Sequence, residues 1–210
     1  FFSKTVARLS PDFDVTHLHD WQTAIVPMLL KEGTGKGTPR MIYSIHNLAY
    51  QGSCDSDRFA LTNLSPKLFH PRGPKHFGNL NFMKAGLHYA DAITTVSPQY
   101  AQEILTEEFG EGLNEELLKR QDRLTGILNG VDYSEWRTRG NSHLAAEYDV
   151  DNLSGKATCK KHLLKIFGLP DDGLPLLAVV SRLAEQKGIK QMVEALTELL
   201  PGNRFRFVLL

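Results

Sequence analysis

Residues 174–188, L-P-L-L-A-V-V-S-R-L-A-E-Q-K-G, and 189–200, I-K-Q-M-V-E-A-L-T-E-L-L, change hydrophobic period within a few positions. The run Leu176 to Val180 has no alternation, the pattern of a strand covered on both faces. After Gly188, the apolar residues Ile189, Met192, Val193, Leu196 and Leu199 recur at three- and four-residue spacing, which predicts an amphipathic helix. A strand, a short loop and a helix make half of a parallel βαβ unit. In open α/β sheets ligands bind beyond the carboxyl ends of the strands. The loop here carries Ser181, Arg182 and Lys187, and a helix N-terminus beside two cations suits a diphosphate. Taken alone, Arg182 and Lys187 are more often ordinary loop charges than a binding site, and the sharper reading needs support from the rest of the chain.

The same alternation extends outward. Phe1 to Leu9 has helical spacing and is closed by Pro11. Strands are predicted at Phe13–His19, Arg40–Ile45, Ala92–Val96, Arg123–Leu128, Leu176–Val180 and Phe205–Leu210. Helices are predicted at Thr23–Lys31 (kinked at Pro27), Leu80–Tyr89, Ser97 to about Phe109, Asn114–Gln121 and Ala157–Phe167. Ser97-Pro98 is a helix start, with Ser as N-cap and Pro at the first helical position, and Gly168 is a helix stop. Gly33 to Pro39 lacks P-loop spacing and is taken as a linker, while Ser53 to Asn79 is a long excursion without period. The fold class is α/β with parallel sheets.

Composition narrows the function. With 210 residues, 41% hydrophobic and 23% charged, the chain is neither disordered nor fibrous. A formal net charge of zero gives no basic surplus to mark nucleic acid as the main partner. No apolar run reaches the length of a membrane span. Cys54 and Cys159 are too few for a disulfide framework and lack a metal motif, so a reduced compartment is expected. The chain opens in what reads as the tail of a helix and closes in a strand-like run, so it is expected to be part of a longer protein.

Five predicted strands end in polar, reactive residues: His19-Asp20, His46-Asn47, Ser97, Asn129-Gly130 and Ser181-Arg182. Five such ends suggest two sheets facing a cleft. Each residue also has a plain alternative. His46 is a satisfied loop histidine or a group that orients a sugar hydroxyl. Asp20 is a helix N-cap or a ligand contact. Asn129 with Gly130 is a turn or a ligand contact near a hinge. Ser97 is given no chemistry, and Trp21 and Trp136 are assigned to core or interface. His17 and His19 share a strand face and form a candidate metal pair without a third ligand.

Five motifs in order, D-V-T-H-L-H-D-W (14–21), S-I-H-N-L-A-Y-Q-G (44–52), F-M-K-A-G-L-H-Y-A-D-A-I-T-T-V-S-P-Q-Y-A (82–101), G-I-L-N-G-V-D-Y-S-E-W (126–136) and V-V-S-R-L-A-E-Q-K-G (179–188), resemble the bacterial glycogen synthase and plant starch synthase family. The resemblance implies twin Rossmann-like (GT-B) domains facing across a cleft. Residues 1–123 would be the C-terminal part of the first, acceptor-side domain, and 124–210 the N-terminal part of the second, nucleotide-sugar-binding domain. It implies transfer of glucose from ADP-glucose to the non-reducing end of an α-1,4-glucan with retention of configuration, in the cytoplasm, without metal or cofactor. Arg182 and Lys187 match the family's diphosphate-binding cations. His46 matches the histidine on the donor glucose, Asp20 the acidic residue of the H-D-W motif, and Asn129 the asparagine near the donor site. The family's Lys-x-Gly-Gly-Leu loop and its glutamate loop are absent from the sequence, so the isolated chain is expected to be inactive. The alternatives are a retaining GT-B transferase with another donor or acceptor and a non-catalytic glucan-binding relative. A dinucleotide oxidoreductase is disfavoured, since no strand is followed by Gly-x-Gly-x-x-Gly.

Overall fold

The computed structural model describes residues 1–33 and 38–210, so the expected linker falls largely outside the described residues. The chain divides into two compact units, Phe1–Gly130 and Val131–Leu210.

The first unit begins with α1 (Phe2–Leu9), β1 (Val15–His19), α2 (Asp20–Thr23), α3 (Val26–Gly33) and β2 (Arg40–Ile45). The excursion follows, carrying β3 (Ser53–Cys54), β4 (Lys75–His76) and β5 (Asn79–Asn81), which form a small antiparallel sheet in the order β3-β5-β4. Then come α4 (Phe82–Tyr89), β6 (Ala92–Thr95), α5 (Pro98–Glu103), α6 (Asn114–Leu118) and β7 (Leu124–Gly126). The main sheet has the order β1-β2-β6-β7, and every pairing is parallel. All four carboxyl ends therefore open on one edge.

The centre of this unit is apolar and closed. Leu18, Met41, Tyr43, Ile45, Leu87, Ile93 and Ile104 are buried in one cluster, joining the sheet to α4 and α5. Parallel strands covered on both faces need such runs, which explains M-I-Y-S-I, whereas A-I-T-T buries Ile93 and Thr95 and leaves Ala92 and Thr94 partly exposed. Gly86 marks where α4 presses on β2: a Cβ there would lie 2.9 Å from Tyr43 Cζ. Asn81 fixes the start of α4. Its side chain accepts the Lys84 N–H at 3.0 Å, and its Nδ2 donates to Gln51 Oε1 at 2.6 Å. Lys84 is buried, with Nζ donating to Pro71 O at 2.6 Å and Lys75 O at 2.8 Å, and so pins the excursion to the core.

The second unit contains α7 (Tyr133–Trp136), α8 (Ser154–Ile166), β8 (Leu176–Val179), α9 (Ile189–Leu199) and β9 (Arg206–Leu209). β8 and β9 pair in parallel from Leu176↔Arg206 to Val179↔Leu209. Leu164 of α8 and Val208 of β9 are its buried apolar side chains among the described residues.

Four expectations need correcting. The helix expected over Thr23–Lys31 is two helices divided at Ala24–Ile25. Pro27 lies in the first turn of α3, where its missing N–H removes no intrahelical bond, so it starts a helix instead of kinking one. The helix expected to reach about Phe109 ends at Glu103. The strand at Leu124, expected to open the second domain, pairs with β6 in the first sheet, so the units divide at Gly130 and not at Arg123. β8, expected to be covered on both faces, leaves Leu177 49% exposed, because its sheet has only two strands among the described residues.

Asn81→Ala removes an N-cap and leaves the Gln51 amide without its donor. An equilibrium urea unfolding curve is expected to show a loss of about 2 kcal/mol. An unchanged midpoint would mean that this side chain is not what joins α4 to the loop after β2.

Candidate functional site

At the carboxyl edge of the first sheet, β1 runs into His19 and Asp20. Asp20 sits at φ +53, a left-handed conformation that a short polar residue tolerates better than a bulky one. The chain turns there into α2. Thr23 secures the turn: its hydroxyl donates to His19 O at 2.8 Å and accepts the His19 N–H at 2.8 Å. Asp20 is not an N-cap. It is the first residue of α2, and its Oδ1 accepts the backbone N–H of His46 from the end of β2 at 2.9 Å. Two strand ends that the sequence separates by 26 residues are thus held by one charge-assisted bond.

The rings meet as well. His19 Nδ1 lies 3.0 Å from His46 Nε2, so one nitrogen of the pair carries the proton between them. The His17 and His19 rings have centroids 4.2 Å apart. His17 Nε2 bonds Ser44 Oγ at 2.7 Å, and Ser44 Oγ bonds Thr94 Oγ1 at 2.5 Å, forming a polar row across β1, β2 and β6. His17 is engaged in that row. Among the described residues no group of three or more His, Cys, Asp and Glu side chains could hold a metal ion.

The loop after β2 is locked from several sides. Leu48 is buried, and its N–H donates to Tyr100 Oη at 3.2 Å. The Ala49 N–H donates to Asn47 Oδ1 at 3.0 Å, a local side-chain turn. Gln51 O accepts the Met83 N–H at 3.0 Å. Gly52 takes φ +64, and a Cβ there would sit 2.6 Å from Trp21 Cε3. Trp21 in turn stacks on Phe82, with centroids 6.3 Å apart. The H-D-W, H-N-L-A-Y-Q-G and N-F-M-K segments therefore form one interlocked edge. Asn81, Gln51 and Tyr100 belong to it although sequence reasoning did not single them out. The N-cap position of Asn81 was the available signal for one of them.

In the second unit β8 ends at Val179, and the Ser181 N–H donates to Leu210 O at 3.0 Å beside the end of β9. Ala184 N–H donates to Arg182 O at 2.8 Å, and a 3₁₀ turn over Glu185–Lys187 leads to Gly188 at φ +66, the N-cap of α9. Gly188 supplies no capping side chain, so among the described residues no side chain caps the first-turn N–H groups of α9. Arg182 and Lys187 stand on this one loop. Both are exposed, and neither has an ion pair or side-chain hydrogen bond among the described residues. Asn129 is exposed in the first unit, beyond the end of β7. Ser97 caps α5 as expected, accepting the Tyr100 N–H at 2.8 Å. Trp136, expected in the core or an interface, is 74% exposed and so is not a core residue.

Burial, then the neighbouring His17 and His46, holds His19 below the usual histidine value of 6.5, with Asp20 pulling the other way. Above pH 6.5 the ring is neutral in folded and unfolded chains alike. As pH falls below it, the unfolded chain takes up the proton first. The stability contributed by neutral His19 is lost as pH drops to the folded-state midpoint. NMR titration is expected to place the His19 midpoint below 6.5 and to raise it in His17→Asn. A midpoint at or above 6.5 would contradict the packed arrangement of three imidazoles.

The family model described as the starch synthase catalytic domain matches residues 1–119. A glycogen synthase of Thioalkalivibrio sulfidiphilus is 45% identical over 93% of this chain and 40% of its own length. One of Myxococcus xanthus is 46% identical over 90% of this chain and 41% of its own. Among solved structures, the catalytic domain of starch synthase IV from Arabidopsis thaliana, bound to ADP and acarbose, superposes with a TM-score of 0.86 at 31% identity. It covers 100% of this chain and 45% of that one. The chain thus spans less than half the length of the proteins it matches. Its two parallel α/β units agree in class with the twin Rossmann-like (GT-B) fold that the motifs imply. With the family model matched over more than half of the residues, the chain belongs to the starch synthase catalytic domain family.

Proposed function

We propose that the chain is part of a glycogen or starch synthase that transfers glucose from ADP-glucose to the non-reducing end of an α-1,4-glucan, with retention of configuration. The observation that carries this is the Asp20–His46 brace at the carboxyl edge of a parallel sheet, in a member of this family. The Arabidopsis relative's ADP and acarbose, a nucleotide and an oligosaccharide, support the two substrate classes. In this proposal the first unit is the acceptor-side domain and the second the nucleotide-sugar-binding domain, divided at Gly130. The two unpaired cysteines suit the cytoplasm.

Each residue then has a stated task. Breaking the bond between glucose and phosphate puts growing negative charge on the ADP oxygens. Arg182, Lys187 and the open N-terminus of α9 stabilise that charge more in the transition state than in the ground state. His46 hydrogen-bonds a donor hydroxyl and positions the anomeric carbon. Asp20 lies on the acceptor side and holds the His46 backbone, so the imidazole does not have to be ordered when substrate arrives. His19 fixes the ring of His46 from behind. Asn129 contacts the donor. The pair of carboxylates used by glycosidases is not required, because nucleoside diphosphate is already a good leaving group.

Transfer of labelled glucose from ADP-glucose to glycogen by the full-length protein is expected to fall about a hundredfold or more in Arg182→Ala. A variant at the parent rate contradicts the role given to the cation. Activity with UDP-glucose alone keeps the family and overturns the donor. The isolated 210-residue chain is expected to be inactive, and transfer at the full-length rate would overturn that expectation.

A further inference from the structure

β4 and β5 are joined by a two-residue turn, Phe77-Gly78, flanked by the His76↔Asn79 pair. Both turn residues have positive φ, +46 for Phe77 and +83 for Gly78. A two-residue hairpin with both central residues left-handed is a type I′ turn, for which Asn-Gly is the favoured sequence. A phenylalanine in the first position is strained by about 1–2 kcal/mol. Core packing does not offset this strain, since Phe77 is 86% exposed. Its ring lies against that of His76, at a centroid distance of 4.2 Å. An aromatic face is thus held out in water at a position where the backbone disfavours it. Such strain persists where the surroundings over-determine it, and it collects at ligand sites.

Beside the tip lies a cavity of about 620 Å³, whose lining includes His76, Phe77, Glu107, Asn114, Glu115 and Glu116. Its volume is that of a small-molecule site. Two cations also reach it: Lys75, whose ammonium lies over the Phe69 ring at 5.9 Å, and Lys84, whose ammonium is already donated to two backbone carbonyls and lies 3.8 Å from Glu116 Oε1. The three carboxylates, Glu107, Glu115 and Glu116, outnumber these two engaged cations and oppose a phosphate. They are good acceptors for hydroxyl groups, and Asn114 adds both a donor and an acceptor. A neutral polyol with a flat C–H face fits this combination of open ring and acceptor-rich wall. The cavity is joined to the candidate site through one loop: His76 Nε2 bonds Gly112 O at 3.0 Å, and Gln51 Nε2 donates to Glu111 O at 2.9 Å.

We infer that the Phe77 hairpin tip and the cavity beside it are an accessory binding site for an α-glucan chain, with a pyranose stacked on the Phe77 ring. This rests on the proposal that the acceptor is a glucan. A second grip on a polymer raises the local concentration of its ends at the transfer site without changing the chemistry there. Polymeric acceptors should feel it, and short ones should not.

The test is Phe77→Asn in the full-length protein. Asparagine tolerates the left-handed turn, so the melting temperature should hold or rise. Retention in glycogen-containing native gels should weaken about fivefold or more, as for loss of one anchoring aromatic. The KM for glycogen should rise while kcat on maltotriose stays at the parent value, and Phe77→Tyr should restore retention. Unchanged glycogen retention in Phe77→Asn overturns the accessory site alone. A lowered melting temperature that accompanies lost retention assigns Phe77 to folding and also overturns it. If the parent protein itself is not retained by glycogen, the glucan proposal fails together with the site.

Discussion

The backbone N–H of His46 donates to the carboxylate of Asp20 at 2.9 Å, and that bond ties together the ends of two neighbouring parallel strands. It depends on register. β1 and β2 pair from Val15↔Arg40 to His19↔Ser44, so the two chains leave the sheet almost level and their next residues meet. It depends also on the left-handed turn at Asp20, without which the carboxylate would follow α2 away from β2. Around this brace the rest of the edge is assembled: the paired imidazoles of His19 and His46, the Ser44–Thr94 hydroxyl row, and the Trp21 ring against Gly52. A site of this kind is built on strand ends, which the buried core of Leu18, Tyr43 and Ile45 keeps rigid, with loops added on top.

Much of this fold could be read from period alone. Arg40–Ile45 is a strand with the expected bounds, because an apolar run of that length between a loop and a polar stop has no competing helical pattern. Ser97-Pro98 starts a helix for the reason its chemistry gives. What local patterns do not carry is partner choice. Leu124 to Gly126 is a strand either way, and only pairing with β6 assigns it to the first unit. Pro27 likewise permits a kink or a new start, and the buried contacts of Ala24 and Val26 select the latter. Exposure of β8 is a matter of what covers the sheet, which the strand's own residues do not encode.

The candidate site shows the same division. The residue types at the strand ends were legible, since polar side chains there are conspicuous after apolar runs. The bonds between them were not. Asp20 looks like an N-cap in sequence, and its bond to His46 is a tertiary contact between separate strands. Gln51 and Asn81 look like loop polar residues until their 2.6 Å bond is seen. Phe77 looks like any aromatic residue before a glycine, and its left-handed backbone shows only in three dimensions. Arg182 and Lys187, by contrast, stand exposed on a single loop that leads to a helix N-terminus without a side-chain cap among the described residues, an arrangement local enough to be seen in sequence.

In the proposed function the two units serve one reaction, with His46 acting on the sugar and Arg182 with Lys187 on the diphosphate. His46→Ala in the full-length protein separates these tasks. Single-turnover glucose transfer from ADP-glucose to glycogen should fall about a hundredfold or more, while ADP affinity measured by calorimetry stays near the parent value. Transfer at the parent rate, or a loss of ADP affinity as large as the loss of rate, would contradict the assignment of His46 to the donor sugar.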